Sequence, residues 1–111
     1  MLGERIFNLQ RAIQVRERQC GREGDILPDF WHTTPLQESF LNPNLLAPGP
    51  YGQPITRKGS TLDRNQFELM KDEYYSLRGW DVATGLQTES NLTRQGLSDV
   101  ANELKRLNLV R

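Results

Sequence analysis

Apolar residues at Leu2, Ile6, Leu9 and Ile13 recur at steps of four, three and four, the spacing of one helix face. Phe7 lies beside that stripe, while Glu4, Arg5, Asn8, Gln10, Arg11 and Gln14 fill the other side. The pattern predicts a first helix over roughly 2–20. Gly21 and Gly24 supply the stop, since glycine adopts the left-handed conformation that closes helices. A second stripe runs through Phe67, Met70, Tyr74 and Leu77. Asp63 caps its start, Gln66 stands at the capping-box position, and Gly79 ends it. Residues 80–85 read as a turn. Thr88 caps a short third helix to about Arg94, which Gly96 closes. Ser98 caps a fourth to about Leu107, with Val100, Leu104 and Leu107 on one face and Ala101 beside them.

Between the first two helices the pattern breaks. All six prolines fall from Pro28 to Pro54, with Gly49, Gly52 and Gly59 among or just after them. Proline fixes φ and removes a donor, so this stretch is a long connection. A short helix at 35–41 is expected within it. Phe30, Trp31, Phe40, Leu41, Leu45, Leu46 and Tyr51 give it anchors for wrapping over another surface. No stretch alternates with period two, so no sheet is expected. The fold class is all-α: a small helical domain of about four helices with a long Pro/Gly-rich connection after the first. Residues 1–111 are read as a single helical domain.

Composition narrows the function more than it defines it. The chain is 36% hydrophobic with a mean hydropathy of −0.66, polar for a self-contained core of this length. Fourteen basic and fourteen acidic residues cancel, which removes any general drive toward nucleic acid or anionic membranes. No apolar run approaches a membrane span, and no signal segment opens the chain. Helical periodicity begins at once after Met1, the abrupt start expected of a piece of a larger polypeptide.

Chemistry-bearing residues are sparse. Cys20 and His32 are the sole cysteine and histidine, too few to hold a four-iron cluster or a closed metal site. The lone thiol excludes an internal disulfide and suits a reducing compartment. Asp72 and Glu73 are adjacent, so on a helix they point apart and read as a solvated face. Tyr74 and Tyr75 read as packing residues, one ring toward the stripe and one sideways. Gly49, Pro50, Tyr51 and Gly52 lack the lysine and helix start of a phosphate loop. We assign no catalytic, cofactor-binding or metal-binding residue. Residues 92–104 have the short helix, glycine turn and second helix of a helix-turn-helix. Asp99 and Glu103 would meet phosphates there and repel them.

Two segments carry a family resemblance. Residues 3–17, opening Gly3-Glu4-Arg5-Ile6-Phe7, resemble the helix near the C-terminus of the tungsten-containing aldehyde:ferredoxin oxidoreductases. Residues 72–81, closing on Arg78-Gly79-Trp80-Asp81, resemble a downstream segment of that family. Asp25-Ile26-Leu27-Pro28, Pro35-Leu36, Gln87-Thr88 and 92–97 extend the likeness. Gly49-Pro50-Tyr51-Gly52-Gln53-Pro54 and Lys58-Gly59 are similar to the branch that includes the tungsten subunit of benzoyl-CoA reductase. The insert at 40–60 departs from the shorter aldehyde oxidoreductases, and leaves the substrate open between an aldehyde and an aromatic acyl-CoA. The resemblance implies a tungsten bis-pterin and a 4Fe-4S cluster in the full-length protein, none of whose ligands maps onto this sequence. It implies a structural, cavity-closing C-terminal domain, inactive alone. Its partners would be the remaining domains of the parent polypeptide and, for the whole enzyme, a ferredoxin or electron-transfer subunit. Neither nucleic acid nor membrane is expected as a partner, self-association could cover the exposed stripe, and the location implied is cytoplasmic. The alternative is an independent binding module, with 88–107 as a nucleic-acid reader or the aromatic loop as a peptide groove.

Overall fold

Helix α1 spans Leu2–Arg18 in a computed structural model that describes residues 1–111. It is followed by a 3₁₀ turn at Arg22–Gly24, α2 (Phe30–Thr33), β1 (Leu46–Pro48), β2 (Pro54–Thr56), α3 (Arg64–Arg78), α4 (Glu89–Arg94) and α5 (Ser98–Arg106). The fold is mainly helical, as the periodicity predicts. The chain divides into two units: Met1–Ile26 with Glu68–Arg111, and Leu27–Phe67.

In the first unit the apolar core gathers α1, α4, α5 and the C-terminal residues. Ala12 and Val15 meet Leu86, Leu92, Leu97, Ala101, Leu104 and Leu109. Val100 and Leu107 lie half-buried against this cluster, so the face predicted for the last helix is the one used. Local signals set the ends of the helices here. Thr88 Oγ1 accepts from Asn91 N–H at 3.3 Å and caps α4. Gly79 (φ 67°) and Gly96 (φ 71°) hold the left-handed positions after α3 and α4. Trp80 N–H then reaches Tyr75 C=O and Leu97 N–H reaches Leu92 C=O, each at 2.9 Å. After α5 the chain turns back through Asn108 (φ 60°). Arg111 N–H then donates to Gln87 C=O, and Glu89 N–H to Arg111 C=O.

The apolar stripe of α1 stays outward, as a face meant for other protein would, and the stripe of α3 is not the side that the helix buries. On α1 the buried residues are Asn8, Arg11, Ala12 and Val15. Leu2, Ile6, Leu9 and Ile13 remain 74, 50, 40 and 47% exposed. On α3 the buried residues are Lys71 and Tyr75, while Met70 and Leu77 face outward and Tyr74 lies at the margin. Polar side chains occupy the inner faces because each finds a partner there, which lowers the cost of burial.

The second unit corrects two further expectations. Its helix is α2 at Phe30–Thr33, with none at 35–41. Pro35 drives Thr34 to extended backbone (φ −97°, ψ 115°), so the helix stops before it. A small sheet is present where none was expected: β1 and β2 pair antiparallel with Leu46 opposite Thr56 and Pro48 opposite Pro54. Strands of three residues are too short to show alternation, and both are edges, where proline is tolerated. Asp63 Oδ1 accepts from Gln66 N–H at 2.8 Å and caps α3 as predicted. Phe40 and Tyr51 do not anchor within this chain, since both are almost fully exposed.

Two helix boundaries also differ. α1 closes on Gln19 (φ 55°) before either glycine is reached. Ser98 is the first residue inside α5, with Leu97 at the cap and no side-chain cap bond.

Candidate functional site

The densest chemistry in the first unit centres on Asp25, just after the 3₁₀ turn. Its carboxylate accepts from Arg11 Nη1 at 2.7 Å and Nη2 at 2.5 Å, a two-pronged pair. Tyr75 O–H donates to Asp25 Oδ2 at 2.6 Å, and Lys71 Nζ donates to the Asp25 carbonyl at 3.1 Å. Arg11 also donates to Gly85 C=O at 2.9 Å, and its guanidinium lies 4.8 Å from the Trp80 ring centre. Burial alone would push the Asp25 carboxyl up. The hydrogen bonds from Arg11 and Tyr75, with the charges of Arg11 and Lys71, outweigh burial and hold it below its ordinary value. Burial, then the bond to Asp25, pushes the Tyr75 phenol well above its ordinary range. Asp25 is thus a fixed anion among fixed donors. With Asp25 held low and Arg11 and Tyr75 held high, the cluster clamps the loop after α1 against α3.

A second network lies beside it. Asn8 Oδ1 accepts from Trp80 Nε1 and from Gln87 Nε2, both at 2.8 Å, and Gln87 also donates to Asn8 C=O. Asn8 and Gln87 are fully buried. Trp80 and Gln87 face each other in an isolated antiparallel bridge around the 81–86 turn. Asp81 stiffens that turn by accepting from Thr84 N–H at 2.8 Å and Thr84 O–H at 2.5 Å. Those two bonds hold the Asp81 carboxyl low. Arg22 ties the 3₁₀ turn to α3 through Asp72 at 2.5 Å and Glu68 at 2.6 Å. Asp72 is therefore an ion-pair residue on a face that is still 44% exposed at its side chain.

The second unit holds a cleft of about 460 Å³, walled by Phe30, Trp31, Leu36, Arg57 and Leu62. Backbone bonds pin its walls: Leu36 N–H to Ser60 C=O at 2.9 Å, and Leu62 N–H to Trp31 C=O at 3.0 Å. His32 Nδ1 sits 2.8 Å from Leu62 C=O, and its ring packs 5.7 Å from Phe67.

Cys20 and His32 fall in different units. Cys20 is a half-buried free thiol beside Gly24, where an added Cβ would lie 2.6 Å from Sγ. No three His, Cys, Asp or Glu side chains converge to hold a metal ion. One cysteine cannot by itself hold a four-iron cluster. Arg11, Asp25 and Lys71 were not singled out by pattern. The signal for them is indirect: Asp25 opens the acidic-apolar-Leu-Pro segment, and Arg11 lies on the side of the first helix opposite its apolar stripe. No helix is long and apolar enough to cross a membrane.

The family described as aldehyde ferredoxin oxidoreductase, domains 2 & 3, matches residues 1–97. No curated protein and no solved structure matches the chain.

Proposed function

Because the chain belongs to the aldehyde ferredoxin oxidoreductase family, in its domains 2 and 3, we propose that it is the helical C-terminal part of a tungsten-pterin, iron–sulfur oxidoreductase, structural and cavity-closing rather than catalytic. The observation that carries this reading is the outward apolar face of α1. A helix that buries Asn8 and Arg11 while leaving Leu2, Ile6, Leu9 and Ile13 exposed is satisfied inside by polar bonds and unsatisfied outside. Such a face suits docking against another protein body. On α3, Met70 and Leu77 are exposed in the same manner.

In this reading the tungsten bis-pterin and the 4Fe-4S cluster belong to the rest of the parent polypeptide. That part would supply the redox chemistry and meet a ferredoxin or electron-transfer subunit. This chain would contribute a helical cover, with the loop after α1 held by the Asp25 clamp. Residues 49–54 with Lys58-Gly59 favour the branch of the benzoyl-CoA reductase tungsten subunit, and the location that goes with the reading is cytoplasmic. The binding-module alternative gains nothing from α5, where Lys105 is bonded to Glu89 and Arg106 to Glu103.

Metal analysis of the purified chain tests the division of labour. We expect neither tungsten nor iron in stoichiometric amount, together with binding of an apolar dye by the uncovered faces. Stoichiometric metal retained through gel filtration would overturn the proposal.

A further inference from the structure

We infer that the outward face of α1 pairs with the same face of a second copy of this chain, the two helices running antiparallel about a two-fold axis. The inference rests on the docking role proposed above for that face and names its occupant.

The stripe is self-complementary. Leu2, Ile6, Leu9 and Ile13 are spaced four, three and four apart, steps that read the same in either direction. Reversing one helix therefore sets Leu2 against the partner's Ile13 and Ile6 against the partner's Leu9, and the two-fold repeats both contacts. Every layer then holds one leucine and one isoleucine. Helix pairs with this spacing seat each apolar residue in a hole between four residues of the facing helix. One such hole is already open here. A depression of about 80 Å³ lies at Leu9, Ala12, Ile13 and Arg16, with Val100 and Leu104 of α5 also lining it. Those four residues of α1 form the diamond of a knob-into-hole seat. In the antiparallel register the residue that faces it is Leu2, the most exposed of the stripe.

Charge and size choose the direction. In a parallel pair Arg16, seven positions after Leu9, would face its own copy in the seam. The antiparallel register carries Arg16 beyond the overlap. On the flanks Arg5 then falls beside the partner's Ala12, and Gln10 beside the partner's Gly3. A long side chain meets a small residue on each side, and no like charges face one another. An added Cβ on Gly3 would meet nothing within 4 Å, so that flank has room. Four side chains from each copy make less than a standard interface, which sets a Kd on the order of 10–100 µM.

The test is sedimentation equilibrium of the full chain and three variants. Leu2→Lys and Ile13→Glu should each weaken association about tenfold, because each puts an unpaired charge in the seam. The Leu2→Lys/Ile13→Glu double variant should regain most of that loss, since each new lysine meets a new glutamate across the axis. Eleven positions apart, the two cannot pair within one helix. A parallel pair would instead bring like charges together in the double variant. Both positions are exposed, so unchanged helical circular dichroism is expected throughout. A wild-type chain monomeric to about 1 mM, single variants that associate like wild type, or a double variant no tighter than the singles would overturn the inference. The metal analysis above is blind to association. A monomer that holds no metal and binds the apolar dye would sink this pairing and leave the docking role standing.

Discussion

Trp80 donates its indole N–H to Asn8 Oδ1 across 2.8 Å, and so joins the residue after the αL glycine of α3 to the buried side of α1. Gln87 Nε2 donates to the same oxygen, which makes Asn8 the acceptor shared by two buried donors. Asn8→Ala leaves both donors unsatisfied, and we expect it to cost about 3 kcal/mol. Trp80→Phe removes one donor along with its partner's need for it. A double-mutant cycle by urea denaturation should therefore give a coupling of about 1 kcal/mol. Simple additivity of the two losses would refute the shared-acceptor account.

Asp25 makes stability depend on acid. Its carboxyl lies below the ordinary value when folded, so between the two values the unfolded chain binds more protons. The stabilisation is complete above the unfolded value of about 3.9 and disappears as pH falls through the folded one. Asp25→Asn should cost about 2–3 kcal/mol at pH 7 and progressively less toward pH 3. Glu68 and Glu103 are also held low, by Lys71 and Arg22 and by Arg106 respectively, but they are exposed and screened. Denaturation curves at several pH values measure the difference. A gap between wild type and variant that stays constant from pH 7 to pH 3 would rule out this assignment.

Glycine at position 21 is required for space. A Cβ there would fall 2.1 Å from the Thr84 carbonyl oxygen, the same oxygen that accepts from Arg22 N–H at 2.6 Å. Backbone on both sides leaves nothing free to yield, so Gly21→Ala should destabilise by about 2–3 kcal/mol. Gly3, inside α1, has nothing within 4 Å of its added Cβ. Gly3→Ala should stabilise by about 0.5 kcal/mol through the unfolded state. Thermal melts of the two variants should move in opposite directions, and a neutral Gly21→Ala would contradict the close approach.

Local chemistry was legible in the sequence, and the choice of inner face was not. Asp63, Thr88, Gly79 and Gly96 act as their types and positions predict, because caps and left-handed turns depend on neighbours a few residues away. The helix faces depend on partners far along the chain. Arg11 turns inward to meet Asp25 fourteen positions on and Gly85 seventy-four on. Asn8 turns inward for Trp80 and Gln87. No periodicity encodes those meetings: the stripe of α1 marks an outward face, and on α3 the buried side is that of Lys71 and Tyr75 and not that of the stripe. The cleft was hidden for a similar reason: Trp31 and Leu62 are brought together by a main-chain bond across an irregular connection.

The outward stripe of α1 makes its own prediction. Leu2 and Ile6 are 74 and 50% exposed and belong to none of the buried core, so lysine at both positions removes apolar surface without opening a cavity. The Leu2→Lys/Ile6→Lys variant should unfold within about 0.5 kcal/mol of wild type. Its association should nevertheless change. The wild-type chain should bind an apolar dye and sediment as a concentration-dependent mixture, because self-association covers the stripe. The doubly charged variant should sediment as a monomer and bind less dye. If instead both proteins sediment alike across the concentration range, the stripe is not an adhesive surface, and the docking role assigned to α1 loses its physical basis.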